Sequence, residues 1–268
     1  MESYGLLGRK LSHSLSPEIH NKIFELIKNN SSYKLFEIEE DNLEMFIEEL
    51  RSIKIKGINV TIPYKEKVIK YLDEISEEGK KIGAINTIYL KEDKLIGYNT
   101  DYYGFGIMLE YNNIQIKNKR VMVLGNGGAT KAIVHYLLDE GVKQVYIISR
   151  NSKVDNYKLD KVEIIGYEDI KNIKGDILIN STPVGMYPNM GICPVDKKVI
   201  NNFEILVDII YNPEETEFLK IGKTLNKKII GGLYMLVAQA IKAEEIWNNI
   251  KIEKEVIKEI YEEINSKF

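Results

Sequence analysis

Residues 120–149, RVMVLGNGGATKAIVHYLLDEGVKQVYIIS, carry the pattern that decides the fold. A strand is predicted at Arg120–Leu124, whose apolar run is Val121–Leu124, and it enters a Gly-rich turn. A helical period continues to about Glu140, and a second strand is predicted at Gln144–Ser149. A strand, a helix and a second strand in this order predict a βαβ unit with parallel strands. Further strands are predicted at Val162–Ile165, Asp176–Asn180, Leu206–Ile209 and Lys228–Ile230. The second half is therefore expected to form a doubly wound parallel sheet.

The first half also alternates strands and helices, but with less regular spacing. Strands are predicted near Tyr4–Gly8, Tyr33–Ile38, Gly57–Thr61, Asn86–Leu90 and Leu95–Tyr98, and helices near Pro17–Lys28, Leu43–Ser52 and Tyr64–Tyr71. The segment Leu233–Ser266 is helical by period and too long to cap only the last strand. We predict an α/β protein with an N-terminal α/β domain (residues 1–101) and a Rossmann-type domain (102–235). C-terminal helices within 236–268 are expected to pack back on the first domain, and the cleft between domains is the default ligand site.

The composition excludes several classes of protein. The chain has 268 residues, 44% of them hydrophobic and 29% charged, which is typical of a globular protein with a substantial core. The formal net charge is only -3, so there is no basic field to hold a nucleic acid. Cys193 is the single cysteine, and no His or Cys cluster has metal-ligand spacing. With no signal-like N-terminus and no long apolar run, we expect a cytoplasmic protein without metal, nucleic-acid or membrane partners. The sequence does not decide between a monomer and a homodimer.

The Gly-rich turn after Val121–Leu124 is a candidate dinucleotide site. In Gly125-Asn126-Gly127-Gly128-Ala129, side chains are nearly absent, so backbone amides at a helix N-terminus can approach a pyrophosphate. The general fingerprint has Gly or Ala where this chain has Thr130, and a purely structural turn is the alternative.

The next strand ends at Ser149-Arg150-Asn151, where an NAD enzyme usually presents an acidic residue to the ribose. A guanidinium suits a 2′-phosphate, which a carboxylate would repel. Arg150 therefore favours NADP over NAD, unless it is only a solvated charge at a strand end.

Polar residues in the first half lie at predicted strand and helix ends. Ser16 is a plausible N-cap and Pro17 a plausible first helical residue, and together with Ser14 the serines could bind a small carboxylate. Asn59 and Thr61 should share one face of a strand.

Two charged residues accompany these polar groups. Lys65 is predicted in the first turn of the next helix, where the positive end of the helix disfavours a second positive charge. Such a lysine can act as an acid or base, although most lysines are surface charges. Asn86 opens a predicted strand, and Asp101 precedes a helix that it could simply cap.

Eight segments in one order along nearly the whole chain resemble those of the shikimate dehydrogenase family. They are LSHSLSPEIHN, NVTIPYK, GAINTI, GYNTDYYGF, GNGGATKA, NSTPVGMYP, DIIYNPEETEFL and GGLYMLVAQA. The resemblance implies a first domain that binds substrate and a second that binds NADP. It also implies reversible NADPH-dependent reduction of 3-dehydroshikimate to shikimate, on the route to chorismate and the aromatic amino acids.

The resemblance further implies roles for single residues. Lys65 and Asp101 would be the catalytic pair. The substrate would be bound by Ser14 and Ser16 at its carboxylate, by Asn59, Thr61, Asn86, Asp101 and Gln239 at its ring, and by Lys65 and Tyr211. The cofactor would be bound by Gly125, Asn126, Gly127, Gly128 and Ala129 at the pyrophosphate, by Ser149, Arg150, Asn151 and Lys153 at the 2′-phosphate, and by Thr182, Val184, Tyr211, Gly232 and Met235 at the nicotinamide. The family often has Asn-Arg-Thr where this chain has Ser149-Arg150-Asn151.

Two alternatives remain open at the level of sequence. A quinate/shikimate dehydrogenase that uses NAD is disfavoured by Arg150, and a non-catalytic nucleotide-sensing protein of the same fold is disfavoured by the presence of both Lys65 and Asp101. The histidines are predicted to be bystanders in catalysis; they are His13, His20 and His135.

Overall fold

The computed structural model describes residues 2–151 and 159–267. The chain divides into two compact units, of which unit 1 comprises Met1–Gly104 and Val237–Phe268 and unit 2 comprises Phe105–Leu236. Each unit contains one six-stranded sheet together with helices, which confirms the predicted α/β class.

The strands and helices follow one another through both units. The strands are β1 Glu2–Gly8, β2 Ser31–Glu37, β3 Ile55–Val60, β4 Glu74–Ile75, β5 Thr87–Lys91, β6 Lys94–Tyr98, β7 Arg120–Leu124, β8 Gln144–Ile148, β9 Val162–Ile165, β10 Ile177–Asn180, β11 Ile205–Asp208 and β12 Lys228–Ile230. The helices are α1 Ser16–Leu26, α2 Leu43–Ser52, α3 Glu77–Ile82, α4 Thr100–Tyr111, α5 Gly128–Asp139, α6 Lys197–Ile200, α7 Glu217–Thr224, α8 Leu233–Asn248 and α9 Lys254–Asn265.

The sheet of unit 1 is mixed and has the strand order β2-β1-β3-β5-β6-β4. Strands β1, β2 and β3 are parallel, whereas β5 runs antiparallel to both β3 and β6. Helix α8 packs on this sheet through Trp247, which is fully buried and donates from Nε1 to the Ile88 carbonyl at 3.0 Å. A Cβ on Gly57 would lie 2.3 Å from the Trp247 ring, so only glycine permits this approach. The predicted return of the C-terminal helices to the first domain is confirmed.

The sheet of unit 2 is entirely parallel, in the order β12-β11-β10-β7-β8-β9. This is the doubly wound order, in which the direction of winding reverses between β7 and β10. Ligands of such sheets bind outside the carboxyl ends of the strands at the reversal. Leu124 and Asn180 end the two strands there, so the residues that follow them form the expected binding edge.

The prediction of a helix at Tyr64–Tyr71 is wrong in its first turn. Only Lys67–Tyr71 is helical, as a 3-10 helix, and Lys65 lies in the preceding turn. The Lys65 carbonyl accepts from the Ile85 N–H at 2.7 Å, so a long-range bond takes the place of an intrahelical one. The helix-end effect expected at Lys65 therefore does not operate.

Other differences concern short or interrupted elements. Strand β4 and helix α3 were not predicted because the segment around them has few apolar residues. The tail Leu233–Ser266 consists of two helices, and Asn249, with a φ of 50°, begins the break between them. Within the described ranges, no helix combines the length and apolar character needed to span a membrane.

Candidate active site

An ion pair between Lys65 and Asp101 lies at the centre of the polar residues of unit 1. Lys65 Nζ donates to Asp101 Oδ2 at 2.5 Å, and the two side chains are 14% and 8% exposed. Lys65 comes from the turn after β3, and Asp101 from the first turn of α4. An ammonium and a carboxylate in contact, with some access to solvent, can donate and accept a proton at one place.

Amide side chains hold the other oxygen of this carboxylate. Asp101 Oδ1 accepts from Asn86 Nδ2 at 3.0 Å, and the same nitrogen lies 3.4 Å from Gln239 Oε1. Asn86 Oδ1 accepts from the Thr100 N–H at 2.6 Å, and Thr100 Oγ1 donates to Gln239 Oε1 at 3.3 Å. The fold thus brings together Lys65, Asn86, Asp101 and Gln239. Thr100 was missed, although its position beside Asp101 in GYNTD was a usable signal.

The Asn59 side chain is linked to this group through the backbone of Asn86 and the hydroxyl of Thr87. Its Nδ2 donates to Thr87 Oγ1 at 3.1 Å and to the Asn86 carbonyl at 3.3 Å. Thr61 follows β3 directly, and its N–H donates to the Leu7 carbonyl at 2.9 Å. Thr87, which sequence analysis did not select, therefore holds the Asn59 side chain in position.

The predicted N-cap of α1 is wrong. Helix α1 begins at Ser16 with Leu15 at the N-cap position, so Ser16 is already helical and Pro17 is the second helical residue. Ser14 Oγ instead accepts from the Ser16 N–H at 3.2 Å and donates to Ser16 Oγ at 3.1 Å. The two hydroxyls remain adjacent at the positive end of α1, where a carboxylate is stabilised.

Asp101 is not the cap of α4. Asn99 Oδ1 accepts from the Tyr102 N–H at 3.2 Å and takes that role. The Asp101 carboxylate is consequently available to Lys65.

The Gly-rich turn of unit 2 follows β7 and opens α5. Gly125 has a φ of 108°, and a Cβ on Gly127 would meet nothing within 4 Å, so a ligand can approach the backbone closely. Asn126 Oδ1 is buried, and no hydrogen-bond partner for it is found in the part of the chain that the structure describes. The first N–H groups of α5, at Gly128 and Ala129, belong to the turn that binds anions in this kind of fold.

Thr130 explains the departure from the general fingerprint. Its Oγ1 accepts from the Gly127 N–H at 3.2 Å and lies 2.8 Å from Ser181 Oγ. Ser181 Oγ in turn donates to the Leu124 carbonyl at 2.7 Å. The threonine therefore ties the turn to the end of β7 and to the segment after β10.

The end of β8 presents Arg150 to solvent. Ser149 Oγ accepts from the Asn151 N–H at 3.2 Å and shapes the turn around it. Among residues 2–151 and 159–267, no carboxylate forms an ion pair with Arg150. A guanidinium with this exposure can bind a phosphate bidentately. Lys153, also predicted here, lies outside the described residues.

A buried carboxylate organises the segment after β10. Asp208 is fully buried and accepts from Asn180 Nδ2 at 3.1 Å, from Thr216 Oγ1 at 2.7 Å and from the Ile210 N–H at 3.0 Å. Asn180 Oδ1 accepts from Thr182 Oγ1 at 2.7 Å, and that hydroxyl accepts from the Val184 N–H at 3.2 Å. Asp208 was missed, although a lone acid inside the apolar run ILVDII is a recognisable signal.

Asp208 gives unit 2 a measurable pH dependence. Burial raises its pKa from 3.8 to about 6, against the lowering effect of its hydrogen bonds. The pKa of Asp208 is higher in the folded protein than in the unfolded chain, so the protonated carboxyl stabilises the fold. This contribution to the free energy of unfolding is fully present below about pH 4. It falls by about 3 kcal/mol as the pH rises through about 6. Urea unfolding should show that loss in the wild type and not in Asp208→Asn.

The matched control is Asp176→Asn. Burial alone would raise the pKa of Asp176, but hydrogen bonds from the Arg120 N–H and Lys119 bring it below its usual value. The contribution of Asp176 to the free energy of unfolding of the wild type therefore falls as the pH is lowered, whereas that of Asp208 falls as the pH is raised. Equal pH profiles for wild type and Asp208→Asn would contradict the prediction.

The remaining predicted cofactor residues follow β11 and β12. A Cβ on Gly232 would lie 2.2 Å from the Ile209 carbonyl oxygen, so this position requires glycine. Met235 is buried in the first turn of α8, and Tyr211 is half-buried just after β11. Nowhere in the described ranges do three or more His, Cys, Asp or Glu residues form a group that could hold a metal ion.

Comparison with known proteins identifies close relatives. Residues 6–88 match the family described as "Shikimate dehydrogenase substrate binding domain". The chain is 56% identical to "Shikimate dehydrogenase (NADP(+))" of Clostridium beijerinckii, with 100% of both chains covered. The crystal structure of shikimate dehydrogenase 1 from Peptoclostridium difficile is 51% identical, with a TM-score of 0.94 and 98% of each chain covered. A Thermus thermophilus shikimate 5-dehydrogenase, solved in complex with NADP(H) and shikimate, is 29% identical, with a TM-score of 0.87 and 98% and 99% covered.

Proposed function

The chain belongs to the shikimate dehydrogenase family, and we propose that Lys65 and Asp101 are the residues with which it carries out the family's reaction. It is an NADP-dependent oxidoreductase that interconverts 3-dehydroshikimate and shikimate, a step toward chorismate and the aromatic amino acids. The observation that carries the residue assignment is the 2.5 Å contact between Lys65 Nζ and Asp101 Oδ2, framed by Asn86 and Gln239.

The substrate is proposed to bind unit 1. The adjacent hydroxyls of Ser14 and Ser16, at the positive end of α1, suit its carboxylate. The ring hydroxyls face amides, hydroxyls and the ion pair, which offer donors and acceptors in fixed positions because neighbouring groups already hold them. The residues proposed for the ring are Asn59, Thr61, Lys65, Asn86, Asp101 and Gln239. Tyr211, which the resemblance also implies as a substrate residue, remains part of the proposal.

NADP is proposed to bind unit 2, and the residues present fit it. The open space beside Gly127 and the exposed guanidinium of Arg150 match a pyrophosphate and a 2′-phosphate. The proposed cofactor residues are Gly125, Asn126, Gly127, Gly128, Ala129, Ser149, Arg150, Asn151, Lys153, Thr182, Val184, Gly232 and Met235. When bound, the reduced cofactor supplies a hydride to the substrate's carbonyl carbon.

Lys65 would supply the proton that completes the reduction. As the carbonyl oxygen gains negative charge, the Lys65 ammonium stabilises it and donates a proton. Asp101 holds the ammonium in place and binds a neighbouring ring hydroxyl. In the reverse direction, Lys65 takes the proton back from the hydroxyl. The intact pair supports an enzyme over a nucleotide-sensing protein of the same fold.

The proposal extends to the setting of the reaction. We infer a cytoplasmic enzyme, monomeric or homodimeric, that acts on small molecules without a nucleic-acid or membrane partner. The near-balanced charge supports the absence of a nucleic-acid partner, because it provides no basic field to hold one.

The reaction is tested by its stoichiometry. Purified protein with NADPH and 3-dehydroshikimate should form one shikimate for each NADPH consumed. NADPH loss without shikimate formation would refute the assignment.

Arg150→Ala should change cofactor preference. Loss of a charge-assisted contact worth about 1.5–3 kcal/mol should raise the KM for NADP about 10-fold to 150-fold. The KM for NAD, which lacks the 2′-phosphate, should hardly change. Arg120→Ala is the matched control. Arg120 is the first residue of β7, whereas the Gly-rich turn follows the last residue of that strand. Equal weakening of both cofactors would mean that Arg150 supports the fold or contacts the adenine.

A further inference from the structure

A buried polar cluster of unit 1 touches the substrate residues but has no part in the chemistry described above. It consists of His20, Tyr33 and Glu244. His20 and Glu244 are completely buried, and 2.6 Å separates His20 Nδ1 from Glu244 Oε1. The His20 ring stacks on Tyr33, with ring centroids 4.0 Å apart and an angle of 10° between the planes.

The Tyr33 hydroxyl connects this cluster to the substrate site. It donates to Asn59 Oδ1 at 2.7 Å. Burial, together with the charge of Glu244, raises the pKa of Tyr33, so the phenol keeps its proton and remains a donor. The phenol therefore contacts a residue that is proposed to bind the substrate ring.

The His20–Glu244 pair joins the two helices that supply substrate residues. His20 lies four residues after Ser16 on α1, so the two share one face of that helix. Glu244 lies five residues after Gln239 on α8. The second Glu244 oxygen accepts from Asn248 Nδ2 at 2.8 Å, which fixes the carboxylate.

Stability alone does not require an ionisable pair at this place. Apolar side chains of similar volume usually stabilise a core at least as well as a buried pair. The contact between His20 Nδ1 and Glu244 Oε1 does, however, fix the position of the imidazole ring. Because this ring stacks on Tyr33, it also fixes the position of the phenol.

We propose that Tyr33, held by the buried His20–Glu244 pair, is a positioning residue that orients Asn59 toward the substrate, an inference that rests on the proposed function. Its effect is on substrate binding and not on proton transfer.

The first test compares Tyr33→Phe with Tyr71→Phe. Tyr71 is a half-buried tyrosine of the same unit whose hydroxyl donates to Glu44 Oε2 at 3.4 Å. Tyr33→Phe should raise the KM for shikimate about tenfold, while kcat and the KM for NADP stay within about twofold. Tyr71→Phe should leave all three near wild type. Equal KM values for shikimate in the two variants would overturn the proposal.

The second test examines the anchor. Glu244→Gln keeps an acceptor for His20, whereas Glu244→Leu does not, and Glu245→Gln is the neighbouring control. The KM for shikimate should rise in Glu244→Leu and stay near wild type in Glu244→Gln, with folding followed by thermal melting.

A folded Glu244→Leu variant with the wild-type KM would remove the pair from the proposal. If that variant does not fold, the Tyr33 comparison decides. Wild-type protein inactive with shikimate and NADP would refute the proposed function, whereas active wild type with unaffected variants would refute only this inference.

Discussion

Replacing Lys65 with alanine is expected to lower kcat about 10²-fold to 10⁴-fold, because a general acid contributes that much to a proton transfer. The KM for shikimate should change only modestly, since Asn86, Gln239 and the serines still bind the ring and the carboxylate. Steady-state rates with shikimate and NADP measure both constants. A loss confined to kcat indicates an interaction made in the transition state.

Two further lysine variants make this test specific. Lys67→Ala removes a lysine two residues away that pairs with Glu40 and should retain wild-type kcat. Lys65→Arg keeps the positive charge but cannot readily lose a proton, so it should remain slow. Near-normal turnover in Lys65→Ala would make Asp101 or a bound water the proton carrier.

Asp101→Asn should lower kcat and also weaken shikimate binding more than Lys65→Ala does. Both carboxylate oxygens accept hydrogen bonds, one from Lys65 and one from Asn86. The amide nitrogen of asparagine must face one of these two donors, so one hydrogen bond is lost. The side chain of Lys65 or Asn86 that loses its acceptor is then no longer held in position. The expected loss in affinity is about tenfold or more.

Direct calorimetry of shikimate binding separates the two roles. Asp93→Asn, at an exposed turn of the same unit, is the control and should bind as the wild type does. Tighter binding by Asp101→Asn than by Lys65→Ala would contradict the assignment of a ring hydroxyl to Asp101.

The sequence predicts unit 2 well because each strand is a continuous apolar run bounded by turns. Strands β7, β9 and β12 begin and end at the predicted residues, and the parallel order follows from the βαβ pattern. The turn at Lys65 could not be predicted in this way. It depends on a bond from Ile85, twenty residues on, to the Lys65 carbonyl, and local periodicity carries no information about that bond.

The candidate site shows the same division. Residues at strand and helix ends, such as Lys65, Asn86 and Asp101, could be selected because polar groups at those places are unusual in a core. Tyr33 could not, since an aromatic residue in a strand is normally core, and only the fold brings its hydroxyl to Asn59, 26 residues away.

The most direct measurement of the central claim is a comparison of four initial rates, with shikimate or quinate as substrate and NADP or NAD as cofactor. Shikimate with NADP should be by far the fastest combination, because Arg150 suits the 2′-phosphate. A faster rate with quinate and NAD would contradict this assignment and make the protein a quinate/shikimate dehydrogenase.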